Sequence, residues 1–364
     1  VLKSTTAHSK RFGSFDRAFA GKYAMRMFFA VLVILAMTYV GTRAFTHIDL
    51  NLYGYMVGTF VFLGGLFYRF LSWSERPPAK AFISKGMKLL LRRRGGIETA
   101  VESVDNLGMF RFIWNRGPYR WVQHMLMGWG CVISCLVTFP LVFGWMYFTM
   151  EDNGTYTVVF MGIDLMRIAA EGLLAYLFYN ALNISAAMVI AGASMALYRR
   201  LKNMQARAEQ TFLFDFLPLY MLLLVSVTGL LLTLSNFALH GWGHAEMSLV
   251  HQWSVIVTLI YLPFGKLAHI PMRPLGVLVK QYKAHYAEQA MKACKTCGTD
   301  FISVEQSNDV IDVLKQNAIA FESPEGFHLA ELCPACRRKY RIAQFSGAPT
   351  HRIPVKEANQ NAKG

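Results

Sequence analysis

Charge is scarce in this chain. Only 16% of its 364 residues are Asp, Glu, Lys or Arg, and 54% are hydrophobic. The mean hydropathy is +0.31. A soluble domain of this length could bury a large core, but it would not carry several uncharged runs of about 20 residues or more. Acidic residues are the rarer sign, 22 against 37 basic, for a formal charge of +15. Such a balance points to nucleic acid until its distribution is examined. The basic residues cluster beside apolar runs, the pattern of cytoplasmic membrane loops, and this excludes a nucleic-acid partner. A cleavable signal peptide is not expected, because the first apolar run, from about Met27, is too long and a second follows at once. Internal repeats are absent too.

Six spans are read, at about 25–46, 52–73, 121–148, 172–198, 212–237 and 247–271. The connections near 47–51, 149–156 and 238–246 contain no Lys or Arg. Segment 74–120 contains ten, including Arg92, Arg93 and Arg94, and 199–209 contains Arg199, Arg200, Lys202 and Arg207. Both termini are therefore expected in the cytoplasm, in a multi-pass protein of the inner membrane. Trp73, Trp121, Trp145 and Trp242 fall near the expected interfaces. Asp164, Arg167 and Glu171, spaced by three and four, fit one face of an amphipathic helix leading into span four, or a polar lining for a quinone or proton path. The long basic segment 74–120 is expected to hold short amphipathic helices and to dock a partner.

The domains expected are a cytoplasmic N-terminal segment (1–23), two spans (24–73), the basic segment (74–120), a four-span bundle (121–275) and a cytoplasmic tail (276–364). The fold class is an all-α integral membrane bundle with a small zinc-ribbon-like C-terminal domain.

His251 and His269 stand eighteen residues apart in the last span. On one continuous helix that is five full turns and roughly 27 Å. Both imidazoles would share a face, one near each membrane surface. Ionisable residues in a span are costly and mark pathways. His124 opens span three at the depth of His269, and the two antiparallel helices could offer both to one haem b. Gly128 and Gly130 would leave room for the macrocycle. Arg120, Lys266 and Arg273 would either meet its propionates or serve as ordinary flanking charges.

The stretch Pro263-Phe-Gly-Lys-Leu-Ala-His269-Ile-Pro-Met-Arg-Pro274 resembles the last haem helix of the respiratory nitrate reductase gamma subunit family. That family includes related membrane cytochromes b of heterodisulfide-reductase-like complexes. The histidine spacing, the two helices between the haem helices and the His124–Gly130 pattern resemble it as well. The resemblance covers roughly 50–275. It implies a membrane anchor that carries haem b and passes electrons between quinone and a cytoplasmic iron–sulfur subunit.

The chain departs from that pattern. Ser134 stands where the family has a second histidine, and an extra first span and a cysteine-bearing tail are present. His251 therefore lacks its expected partner. His47 is the geometric candidate, since His244 would share a helix with His251. Three readings stay open: two haems with His47 recruited, one haem with His251 at a quinone site, or a structural His251. No catalytic residue is assigned. The competing reading is a haem-free anchor, scaffold or transporter subunit.

The tail carries Cys294-Lys-Thr-Cys297-Gly and Cys333-Pro-Ala-Cys336. Two such knuckles predict a tetrathiolate site for zinc, or for iron as in rubredoxin. Arg337 stands where rubredoxin has glycine, and His328 is expected at the surface. Cys131 and Cys135, one turn apart in span three, are expected to be buried small residues.

Overall fold

The computed structural model describes residues 17–92, 101, 103–151, 154–204, 208, 210–273, 275–317, 319, 322–323 and 326–346. Arg93, Arg94, Arg207 and Pro274 lie outside the described residues, as does most of segment 1–23. The chain divides into two compact units, one drawn from 1–71 and 105–271, the other from 72–104 and 272–364.

Among the described residues of the first unit, five helices are long and apolar enough to cross a bilayer. They are α1 (Arg17–Gly41, apolar from Ala20), α2 (Tyr53–Ser74), then, beyond the shorter α3 and α4 described below, α5 (Pro118–Val142), α6 (Leu173–Lys202), and α7 (Leu217–Phe237) with the π-turn Phe212–Phe216 before it. They are apolar all round: Phe28, Val33, Leu136, Tyr176 and Leu224 face outward. A helix without a polar face needs an apolar surround, so this is a multi-pass membrane protein.

Small residues set the packing. A Cβ on Gly130 of α5 would lie 2.7 Å from Val189 of α6, and one on Gly192 of α6 would lie 2.7 Å from the Met127 backbone nitrogen. Helices α5 and α6 therefore touch backbone to backbone, as membrane helices do when small side chains permit. Helix α7 packs on α6, and α8 (His244–Tyr261) packs on α7.

Helix α8 is shorter than expected. It spans roughly 27 Å but carries His244, Glu246, His251 and Gln252, and it is not among the five apolar helices. It stops at Tyr261 because Pro263 has no N–H and its ring crowds the preceding turn. A turn and the 3-10 segment Lys266–Met272 follow. His251 and His269 are thus not on one continuous helix, and the five-turn phase argument fails.

The expected amphipathic helix at 157–171 is a sheet. Strands β1 (Met146–Met150), β2 (Thr155–Phe160) and β3 (Ile163–Ala169) form an antiparallel meander. Strand β2 is made of β-branched and aromatic residues, and Met161 (φ 52°) and Gly162 (φ 76°) make the two-residue left-handed turn that hairpins favour. Asp164 pairs with Arg43 at 2.7 Å and Arg167 with Glu151 at 3.2 Å. These pairs tie β3 to the end of α1 and to Glu151 beside β1. Helix α5 also ends before 148: Gly144 (φ 63°) closes it, with Trp145 N–H donating to the Pro140 carbonyl at 2.8 Å. Cys135 is exposed rather than buried.

The second unit holds α3 (Pro77–Arg92), α9 (Leu275–Ala287), β4 (Met291–Ala293), β5 (Asp300–Ser303), α10 (Val304–Gln316) and α11 (Pro334–Phe345). Helices α9 and α10 pack on α3. Asp309 of α10 joins all three. It accepts from Lys85 of α3 and from Tyr286 of α9, with the Tyr282 hydroxyl at 3.3 Å. Helix α3 is one of the amphipathic helices expected in the basic segment 74–120. The very short α4 (Arg111–Trp114) belongs to the first unit.

Candidate functional site

The second unit is built around sulfur. Strand β4 ends at Ala293 and the chain turns through Cys294–Gly298, with Gly298 N–H donating to the Cys294 carbonyl at 2.9 Å and Gly298 at φ 75°. The second pair caps α11: the Cys333 Sγ accepts from the Cys336 N–H at 3.5 Å. The Cys294 Sγ accepts from the Cys333 N–H at 3.2 Å. These bonds place four thiols at one point, every Sγ within 4.8 Å of the others. The Cys297 and Cys333 sulfurs are 3.7 Å apart. A tetrahedral ion with bonds of about 2.3 Å requires an S···S edge of about 3.8 Å, so the four thiols fit a zinc or iron ion.

The same sulfurs form the core of the small domain. Cys294, Cys333 and Cys336 are buried with Phe327, Leu329, Leu332 and Tyr340. Cys297 is exposed. Hydrogen bonds from Thr299 bring its thiol down to about 6, while burial pushes Cys336 up to about 12. Arg337 is not a defect in the knuckle. Its guanidinium donates to the Leu329 and Leu332 carbonyls at 3.0 and 3.1 Å, fastening the loop that leads to Cys333. His328 is buried, not at the surface, and its Nδ1 accepts from the Ala330 N–H. That role keeps it out of the ligand set.

In the first unit, the four histidines named as candidate ligands each engage different neighbours. His251 projects from α8 against α7, where Gly229 makes room: a Cβ there would lie 3.2 Å from the imidazole. Its Nδ1 is 2.9 Å from Thr228 Oγ1. With the Thr228 hydroxyl donating to the Leu224 carbonyl at 2.8 Å, its oxygen is left to accept from His251. Ser254, 3.3 Å from Thr228, in turn donates to the His251 carbonyl. In that arrangement Nδ1 carries the proton and Nε2 keeps its lone pair. Tyr55 of α2 stands 6.4 Å from the ring, centre to centre.

His269 has the same tautomer for a simpler reason. Its Nδ1 is 2.6 Å from the Lys266 carbonyl, which can only accept. Such a bond orients the imidazole of a metal-ligating histidine. His124 lies on α5 with its ring edge-to-face against Phe110 at 4.9 Å. His47 follows α1 and stacks on Tyr147 at 4.5 Å.

The space expected beside His124 is filled: a Cβ on Gly128 would meet the Phe110 ring at 3.1 Å, and Gly130 is covered by α6. These glycines serve packing. Ser134, the departure from the family pattern, is 2.9 Å from Ser185 of α6 and links the two helices. Lys266 is committed to buried Asp215, which also accepts from the Thr211 N–H at 3.0 Å. Asp215 and Thr228 were missed by sequence reasoning. The signal was there in each case, an isolated acid opening an apolar run and a hydroxyl beside glycine in a span.

Compared with protein-family models, curated proteins and solved structures, the chain matches none. The functional reading therefore rests on the geometry.

Proposed function

We propose that this chain is the membrane subunit of a quinone-linked electron-transfer complex, with six spans counting α8 and a zinc-ribbon-like domain on the cytoplasmic side. The observation that carries this reading is His251, held inside the bundle with its Nδ1 2.9 Å from Thr228 Oγ1. An imidazole in a span, fixed by a second hydroxyl-bearing residue and given room by Gly229, is costly unless it is used.

His251 Nε2 can accept a proton from a quinol hydroxyl, with Tyr55 beside it. Alternatively it can ligate a second haem, with His47 as the expected partner. His124 and His269 are the ligands expected for a first haem b, and the Lys266 carbonyl fixes the His269 ring for that task. Haem b, when bound, supplies one-electron transfer. The tail would hold zinc and dock an iron–sulfur partner. A rubredoxin-like iron in the same thiolates would extend the electron path instead.

The haem-free anchor is the second reading, and Phe110 favours it by filling the space beside His124 and Gly128. Pyridine haemochrome analysis of the purified full chain separates the two. The proposal expects one or two haems per chain and a loss of one in His269→Ala. Haem-free wild-type protein, purified with its complex intact, refutes the proposal.

A further inference from the structure

The first unit has a second polar feature, at the end of the bundle where α5 begins and α6 ends. The Tyr119 hydroxyl donates to the Met195 carbonyl at 3.0 Å and ties the two helix ends together. A cleft of 540 Å³ opens there, lined by Tyr119, Tyr198, Arg199, Lys202, Asn203 and Met204. The Lys202 ammonium lies 5.9 Å from the centre of the Tyr198 ring.

The charges in this cleft are one-sided. Arg120, the neighbour of the lining residue Tyr119 on α5, adds a further positive charge at this helix end. The Arg199 Nε is buried without a hydrogen-bond partner. Among the described residues, no carboxylate pairs with Arg120, Arg199 or Lys202. Asp215, the acid nearest to this cluster in sequence with a described partner, is taken by Lys266 and the Thr211 N–H. Like charges held together around a partnerless donor are a site for an anion. Guanidinium forks suit phosphate in particular. The cleft lies at the ends of two membrane-crossing helices with tyrosines on its rim, which is headgroup depth.

From this we infer that Arg199 and Lys202 bind a phosphate group, with Arg120 adding positive charge beside them, and that its source is the headgroup of an anionic phospholipid. The inference does not depend on the haem or quinone reading.

Native mass spectrometry of the full chain in detergent tests it, with phosphatidylglycerol, phosphatidylcholine and inorganic phosphate as probes. Wild type should retain phosphatidylglycerol in preference to phosphatidylcholine. R120Q/R199Q should bind it roughly tenfold more weakly, the loss expected for charge-assisted bonds. Arg43→Gln, whose guanidinium is paired with Asp164, should behave as wild type. Equal retention of the two lipids, or undiminished phosphatidylglycerol binding by R120Q/R199Q, overturns the inference. Competition by millimolar inorganic phosphate assigns the site to soluble phosphate and overturns the lipid source. Should R120Q/R199Q fail to fold, wild type decides alone. Phosphatidylglycerol should raise its Tm more than phosphatidylcholine does, with an advantage that shrinks between about 50 and 500 mM salt. Equal Tm shifts overturn the inference.

Discussion

The sulfurs of Cys297 and Cys333, thirty-six residues apart in the chain, stand 3.7 Å from each other. That is far too long for a disulfide and close to the edge of a metal–thiolate tetrahedron. The purified protein should therefore carry one equivalent of zinc or iron, and Cys333→Ser should lose it. Metal binding at such sites contributes on the order of 10 kcal/mol of folding free energy, comparable with the whole stability of a small domain. Chelation should unfold the region around 291–346, read as loss of hydrogen-exchange protection there. Protection unchanged after complete metal removal would contradict a structural role.

Acid should destabilise the same domain. Burial alone would raise the Glu331 carboxyl, but hydrogen bonds from Lys295 and Lys292 bring it below the usual carboxylate range. A carboxylate with a depressed folded pKa adds stability above its unfolded pKa of about 4.3 and loses it as pH falls through the folded value. Stability should be flat from about pH 7 to 5 and fall below about pH 4. Proton competition for the thiolates acts in the same direction, so metal content must be measured at each pH. Glu331→Gln should show the smaller decline at equal metal occupancy.

Asp309 fastens three helices through Lys85, Tyr282 and Tyr286. Asp309→Ala leaves the Tyr286 hydroxyl without that acceptor in a buried residue. The cost should be about 2 kcal/mol, reduced because Lys85 is 38% exposed and well screened. Faster hydrogen exchange in α3, α9 and α10 together is the expected reading. A change confined to α10 would show that the network is not shared.

Thr228→Val keeps size and removes the oxygen that accepts from His251. If Nε2 is the working nitrogen, quinol oxidation by the intact complex should fall by roughly 10- to 100-fold, the range for lost supporting bonds at such sites. Thr228→Ser should retain most of the activity. Equal losses in the two variants would mean that the methyl group, not the hydroxyl, matters.

The membrane class and five of the helices were legible because a span is defined by a long apolar run, which needs no tertiary information. The thiolate site was legible for a similar reason, since two short knuckles carry their own geometry. The sheet at 146–169 was not. Asp164 and Arg167 fit a helical spacing, and their partners Arg43 and Glu151 lie outside the window that suggested it. Pro263 carries the signal for the break, whereas the eighteen-residue spacing holds only for one continuous helix. The fittings of each histidine depend on contacts that only folding reveals. Phe110 reaches His124 from a different segment, and Thr228 reaches His251 from another helix.

The optical spectrum of the dithionite-reduced, full-length protein, purified from membranes with its partners, tests the central claim most directly. A low-spin haem b ligated by two of these histidines predicts an α-band near roughly 560 nm, diminished in His269→Ala. A featureless spectrum from protein that still carries its thiolate metal would contradict the account and leave a haem-free membrane anchor.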